Sequence, residues 1–439
     1  MWMWISRRLS RRILLLTTCI TAMSLCLLAR SSNKHTHFER NANYSHRKLL
    51  DEDQVRKTLE MFQVSDFTVV GPSAWPKPST KLHPDAVPLL EPSFGKHRFD
   101  QDVVMAFAAE YGLNTYLSFV TTLRNTGFRG DIVLAVSKLD VQQKGVTEFF
   151  SSQEGLVVYV IDLKCFNAEG EVVDSVKGGM RVCQLPGLYQ YKHGNISTQV
   201  DPRPSRTVAT TRYELYWLWT IHYKPHSWIM LLDARDAFFQ TNPFEHVPRE
   251  KMESRPDGLL YFFGENTQAT RIGKSPKNSK WISNAYGEMV MTALKEKPTI
   301  CSGSTMGEQI ALETYLRAMV SESDETGTKL MGADQGFHNY LYYTNKLANA
   351  ATIRSIVVFD QGRGIINNLG AMRTKPLEEW GNGKILQQTS DVQMTVLNWD
   401  GTPSPVVHQF DRHKVLSKYV YDHLASSFRR DFFESQTNA

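Results

Sequence analysis

Two aspartates three positions apart, Asp233 and Asp236, close the apolar run Trp228-Ile229-Met230-Leu231-Leu232 and precede the turn signal Asn242-Pro243. A short apolar run of this type is expected to be a buried strand. Carboxylates delivered at its tip suit a hard divalent cation, because Mg²⁺ and Mn²⁺ take oxygen ligands and leave coordination positions open for phosphate. The alternative is a solvated strand end in which Asp233 caps a turn. His408, in Val406-Val407-His408-Gln409-Phe410-Asp411-Arg412-His413, is the other candidate ligand, since an imidazole nitrogen accompanies carboxylates around Mn²⁺. Its alternative is a histidine satisfied within a turn network. Arg412 is the phosphate partner of choice in that stretch, with Asp411 and His413 beside it. Arg235, between the two acids, either adds positive charge for an anion or salt-bridges its neighbours.

Three further positions carry polar chemistry. Ser302-Gly303 lies in the small-residue stretch 299–307, which reads as a turn opening a helix, with a capping box at Thr305 and Glu308. Asp334-Gln335 heads a second helix, where Asp334 is an ordinary N-cap by local physics. Arg212 stands at the head of an apolar helix, Thr210 to Tyr223, and reads locally as a solvated helix end.

The elements that must position these residues alternate in type. Val103 to Ala108, Asp131 to Val136 and Gly155 to Ile161 read as strands. Between them, Leu113 to Asn125 is helical, with Tyr116, Phe119, Val120 and Leu123 on one face, and Val141 to Phe150 is a second helix. This alternation indicates an α/β domain with a mostly parallel sheet and crossover helices. Residues 167–207 interrupt the pattern with glycine, charge and a sequon, and read as an inserted loop. Leu259 to Phe263 and Ile353 to Phe359 complete the strands, Glu288 to Lys295 is helical, and a terminal helix carries Leu416, Tyr419, Val420 and Leu424 on one face.

The 439-residue chain has a globular composition, 41% hydrophobic and 22% charged, with a net charge of +5. Part of that charge sits in Arg7, Arg8, Arg11 and Arg12, and no basic patch interleaved with aromatics points to nucleic acid. The arginines lead into an uncharged stretch, Ile13 to Ala29, which as a helix reaches about 25 Å, near the lower limit for a membrane span. The expected organisation is a cytoplasmic tail (1–12), a signal anchor (13–29), a stalk (30–100) rich in proline, an α/β domain (101–425) and a tail (426–439). The positive flank places everything after Arg30 in the lumen, and a cleaved signal peptide is the rival. Sequons at Asn43-Tyr44-Ser45 and Asn195-Ile196-Ser197 agree with luminal exposure. Cys19 and Cys26 fall in the span; Cys165 and Cys183 could pair in an oxidising compartment, leaving Cys301 single. There is no Walker-type loop, G-x-S-x-G or H-E-x-x-H.

In the order of its four motifs, residues 101–425 resemble the GT-A-fold nucleotide-sugar glycosyltransferases, nearest to the glycogenin-like and extensin-type retaining groups, and the anchor and stalk resemble Golgi members. The resemblance implies a type II membrane protein of the Golgi or ER. Its luminal, metal-dependent domain would transfer a hexose or pentose from a nucleoside-diphosphate sugar to a glycan or glycoprotein, with retention. It implies Mn²⁺ or Mg²⁺ held by Asp233, Asp236 and His408, donor contacts from Arg212, Asp233, Arg235, Ser302, Gly303 and Arg412, and catalytic roles for Asp334 and Gln335. The chain departs from the family's D-x-D. Counting back from Asn242 puts the second family aspartate on Asp236 and the first on Ala234, so Asp233 is one position early. A non-catalytic sugar-binding or scaffold protein with a degenerate metal site is the competing expectation.

Overall fold

The computed structural model describes residues 87–88, 90–173, 181–193, 196–199, 203–249, 255–380, 385–390 and 393–437. The anchor and most of the stalk expected from the sequence lie outside the described residues. Among the described residues, no helix is long and apolar enough to cross a membrane.

Seven strands make the central sheet: β1 (Val103–Phe107), β2 (Asp131–Ser137), β3 (Leu156–Ile161), β4 (Trp228–Leu232), β5 (Gly258–Gly264), β6 (Ile300–Glu308) and β7 (Ile353–Phe359). Their order is β7-β5-β6-β4-β1-β2-β3. β6 runs antiparallel to β4 and β5, and every other pairing is parallel. Successive residues of a strand point to opposite faces, so a sheet covered on both sides reads as an unbroken apolar run. β1 behaves this way. Val103 and Met105 face one core cluster while Val104 and Ala106 face the other, and all are buried.

Helices supply both covers. α1 (Leu113–Asn125) packs on the face of Val104, whereas α2 (Val208–Thr220) packs on the face of Val103. α3 (Pro276–Tyr286), α4 (Gln309–Thr326) and α5 (Ala333–Tyr343) join α2 on that second face. After a helix from Lys414 that passes through a π-turn at Tyr419–Leu424, α6 (Ala425–Thr437) packs against α1, with Phe432 edge-on to Phe149. The mixed, mostly parallel sheet with helices on both faces is the architecture expected from the sequence.

Two expectations need correction. Residues 300–308 are a fully buried nine-residue strand, not a turn leading to a capping box. α4 starts only at Gln309, and no side chain caps it. The small residues are there because β6 is wedged between two strands: a Cβ on Gly307 would lie 2.8 Å from the Leu259 carbonyl oxygen. Residues 167–207, expected as a loop, contain short strands instead. Lys164–Phe166 pairs with Val172–Val173 and Val182–Gln184, and Tyr189–His193 pairs with Ile196–Gln199. Cys165 and Cys183 are directly opposed in this pairing and form a disulfide, while Cys301 is free and buried. The segment ends in Arg203 and Arg206, whose guanidiniums reach the buried Glu214 of α2 at 2.7 and 2.8 Å. That fixes the N-terminal half of α2, the half that carries Arg212.

Candidate functional site

In an open α/β sheet, ligands bind beyond the carboxyl ends of the strands at the point where strand order reverses. Here the order reverses between β1, which is followed outward by β2 and β3, and β4 on its other side. Asp233 follows the last residue of β4 and is tied to β6 by its own N–H, which donates to the Gly303 carbonyl at 3.2 Å.

A small second sheet brings in the rest. Strands Ala237–Phe239, Val406–His408 and Ile366–Asn368 lie side by side, pairing His408 with Ala237 on one flank and with Asn368 on the other. The Asp236 carbonyl accepts from the N–H groups of Gln409 at 2.7 Å and Phe410 at 3.3 Å. Gln409 has φ 62°, the left-handed region, which turns the chain sharply after the histidine.

The result is a cluster of Asp233, Asp236 and His408 whose ligand atoms all lie within 4.8 Å of one another. His408 Nε2 stands 3.6 Å from Asp236 Oδ1 and 3.9 Å from Asp233 Oδ2. Asp236 Oδ1 and His408 Nε2 are buried and have no hydrogen-bond partner. Ligand atoms sharing one ion at about 2.1–2.3 Å are about 3 Å apart at right angles and about 4.5 Å apart when opposed. The spacing fits one divalent cation. Gly303 forms the floor, since a Cβ there would lie 2.7 Å from Asp233 Oδ2 and 3.0 Å from His408 Cε1. Ser302-Gly303 is therefore a strand segment beneath the cluster rather than a helix-opening turn.

Positive charge flanks the acids. Arg235 reaches Asp236 at 3.6 Å and Asp411 at 3.0 Å, and Arg412 reaches Asp236 at 3.6 Å and pairs with Asp411. Both guanidiniums remain partly exposed, so they are accessible to an anion arriving at the open side. His413 faces elsewhere, its Nε2 lying 3.0 Å from the Leu369 carbonyl. Arg212 is not a solvated helix end. It pairs with Asp233 through one nitrogen and with Asp334 at 2.9 Å through the other, and its side chain is 12% exposed. Asp334 also accepts from the Ser302 hydroxyl at 2.9 Å. The α5 N-cap is Gly332, without a side-chain cap, so Asp334 serves this network instead of capping the helix. Gln335 donates both ways through Nε2, to Asn278 Oδ1 at 2.9 Å and Glu265 Oε1 at 3.2 Å.

The ten residues given metal, donor or catalytic roles from the sequence are thus on or beside one strand-tip cluster, whereas His413 is turned away from it. Sequence reasoning passed over Glu265, Asn278, Ser304, Asn368 and Tyr111. Tyr111 follows β1 and lies in the field of Asp233 and Asp236; burial first, then those two charges, pushes its phenol above the ordinary range. Glu265 follows β5, and burial raises its carboxyl. Their positions just past strand ends were the available signal.

Burial alone would lower the His408 pKa from its ordinary 6.5, but the Asp236 carboxylate 3.6 Å away overrides it and raises it well above that value. Asp236 moves the opposite way: burial would raise it, and His408 with the two arginines lowers it. A cation bound at Nε2 would compete with a proton there. We expect about one proton released per ion bound below the raised His408 pKa, and affinity rising about tenfold per pH unit across that range. Calorimetry of Mn²⁺ binding in buffers of different ionisation enthalpy measures the release; identical heats would contradict it.

No family model matches the chain, and no curated protein matches it. Among solved structures, the galactosyltransferase LgtC in complex with donor and acceptor sugar analogs is similar to it, with a TM-score of 0.36 and 8% identity, over 74% of this chain and 95% of that one.

Proposed function

We propose that the chain is a divalent-metal-dependent glycosyltransferase, moving a hexose or pentose from a nucleoside-diphosphate sugar to a glycan or glycoprotein with retention of configuration. The observation that carries this is the Asp233–Asp236–His408 cluster at the strand tips, with two buried ligand atoms lacking partners. Mn²⁺ or Mg²⁺ held there would neutralise the charge that develops on a departing diphosphate. Arg235 and Arg412 receive the diphosphate oxygens bidentately on the open side. Arg212 holds Asp233 and Asp334 in fixed relation, and Asp334 and Gln335 face the transferred sugar. The motif order found in the sequence favours sugar transfer over other diphosphate chemistry.

The Cys165–Cys183 disulfide suits an oxidising compartment. Together with the apolar stretch 13–29 it supports a luminal, type II placement in Golgi or ER. The competing possibility, a sugar-binding protein with a degenerate site, draws on the D-x-x-D spacing; against it, Asp233 lies within 3.9 Å of His408 in spite of that spacing.

The test is to incubate the purified full chain with Mn²⁺ and a panel of UDP- and GDP-sugars and to measure free nucleoside diphosphate. At least one donor should be hydrolysed or transferred, and chelation should stop it. Metal-dependent binding without turnover of any donor would favour the binding-protein alternative, and neither binding nor turnover would remove both.

A further inference from the structure

Asn368 lies on the opposite side of the His408 ring from the carboxylates and is fully buried. Its amide orientation is fixed by chemistry. Nδ2 donates to the carbonyls of Phe263 at 3.1 Å and Gly264 at 3.3 Å, and carbonyl oxygens can only accept. Oδ1 must then be the other atom, accepting from the Ser304 hydroxyl at 3.1 Å and lying 2.8 Å from His408 Nδ1. An amide oxygen cannot donate, so the proton of that contact belongs to Nδ1. Cys301 Sγ, 4.0 Å from Nδ1, is the weaker neighbour. With Nδ1 protonated, the neutral ring carries its lone pair on Nε2, the atom that faces Asp236 and Asp233. Ser304 belongs to β6 and the accepting carbonyls to β5, so the orientation is held by the central sheet.

We propose that Asn368 is a positioning residue that fixes the tautomer and ring orientation of His408, presenting Nε2 to a divalent cation. A histidine that binds metal through one nitrogen commonly donates the other N–H to such a partner, and loss of the partner weakens binding 10–100-fold. The inference rests on Asp233, Asp236 and His408 being a metal site, but it concerns the histidine itself and is measurable without turnover.

The experiment uses the full chain labelled with ¹⁵N-histidine and free of metal, at a pH where the ring is neutral. In the wild type, His408 should carry its proton on Nδ1. Asn368→Leu, which keeps the branching with a somewhat larger side chain and removes both the acceptor and the donor, should populate the Nε2–H form and weaken Mn²⁺ binding about 10–100-fold. Asn368→Asp, which retains an acceptor toward Nδ1 but loses the donor to the Phe263 and Gly264 carbonyls, should restore the tautomer and part of the affinity. An Nε2–H tautomer in the wild type overturns the proposal without any variant, as does a folded Asn368→Leu chain with unchanged tautomer and affinity. Should the leucine variant not fold, the wild-type tautomer and the aspartate variant decide. If the wild type binds no Mn²⁺ while the tautomer follows Asn368 as described, the metal assignment falls and the orienting role stands.

Discussion

Asp236→Asn should reduce Mn²⁺-dependent turnover by about 10²–10³-fold, the loss expected when electrostatic stabilisation of a developing charge is removed. One oxygen of this carboxylate faces His408 Nε2 and the other faces Arg235 and Arg412, so it belongs to both the cation side and the anion side of the site. An asparagine fits the same space, while its amide nitrogen cannot ligate and its oxygen carries no full charge. The surrounding guanidiniums are partly exposed, so solvent compensates them and the fold should survive. Circular dichroism establishes folding, Mn²⁺ titration gives the affinity, and nucleotide release gives the rate. Turnover within tenfold of wild type, in metal-replete conditions, would exclude Asp236 from the mechanism.

Arg212→Met should cost about 3–5 kcal/mol of stability, because it strands partner carboxylates in a buried setting. The guanidinium spans Asp233 and Asp334, and Asp334 is almost fully buried. A lysine has one ammonium and cannot bridge the two carboxylates in this way, so Arg212→Lys should recover only part of the loss. Chemical denaturation of the three chains gives the comparison. A methionine variant within about 0.5 kcal/mol of wild type, the range of ordinary surface substitutions, would show that the bridge holds nothing in place.

The apolar strands were legible because burial on both faces forces an unbroken apolar run, as in Trp228–Leu232. The Asp and His positions followed from where such strands end. β6 was not legible for the opposite reason. Its Cys-Ser-Gly-Ser-Thr-Met-Gly sequence is shaped by close approach to neighbouring strands and to Asp233, and small residues selected by crowding look like those of a turn. Arg212 looked like a helix end because its two acidic partners lie 21 and 122 residues away. Asn368 gave no signal, since an asparagine near a strand end is ordinary loop chemistry until the histidine beside it is known.

β6 also bears on when the site can come into being. It occupies the place between β4 and β5, both of which precede it in the chain, so those two strands cannot become neighbours through it until residue 308 is available. Its residues then meet every part of the cluster: Ser302 touches Asp334, Gly303 underlies Asp233 and His408, and Ser304 holds Asn368. His408 itself comes still later. A chain growing from its N-terminus would have the half that ends in Asp233 and Asp236 in place first and would complete the Asp233–Asp236–His408 cluster only as synthesis nears its end. Occupancy by the ion would then mark a finished molecule, separating it from an incomplete one during assembly.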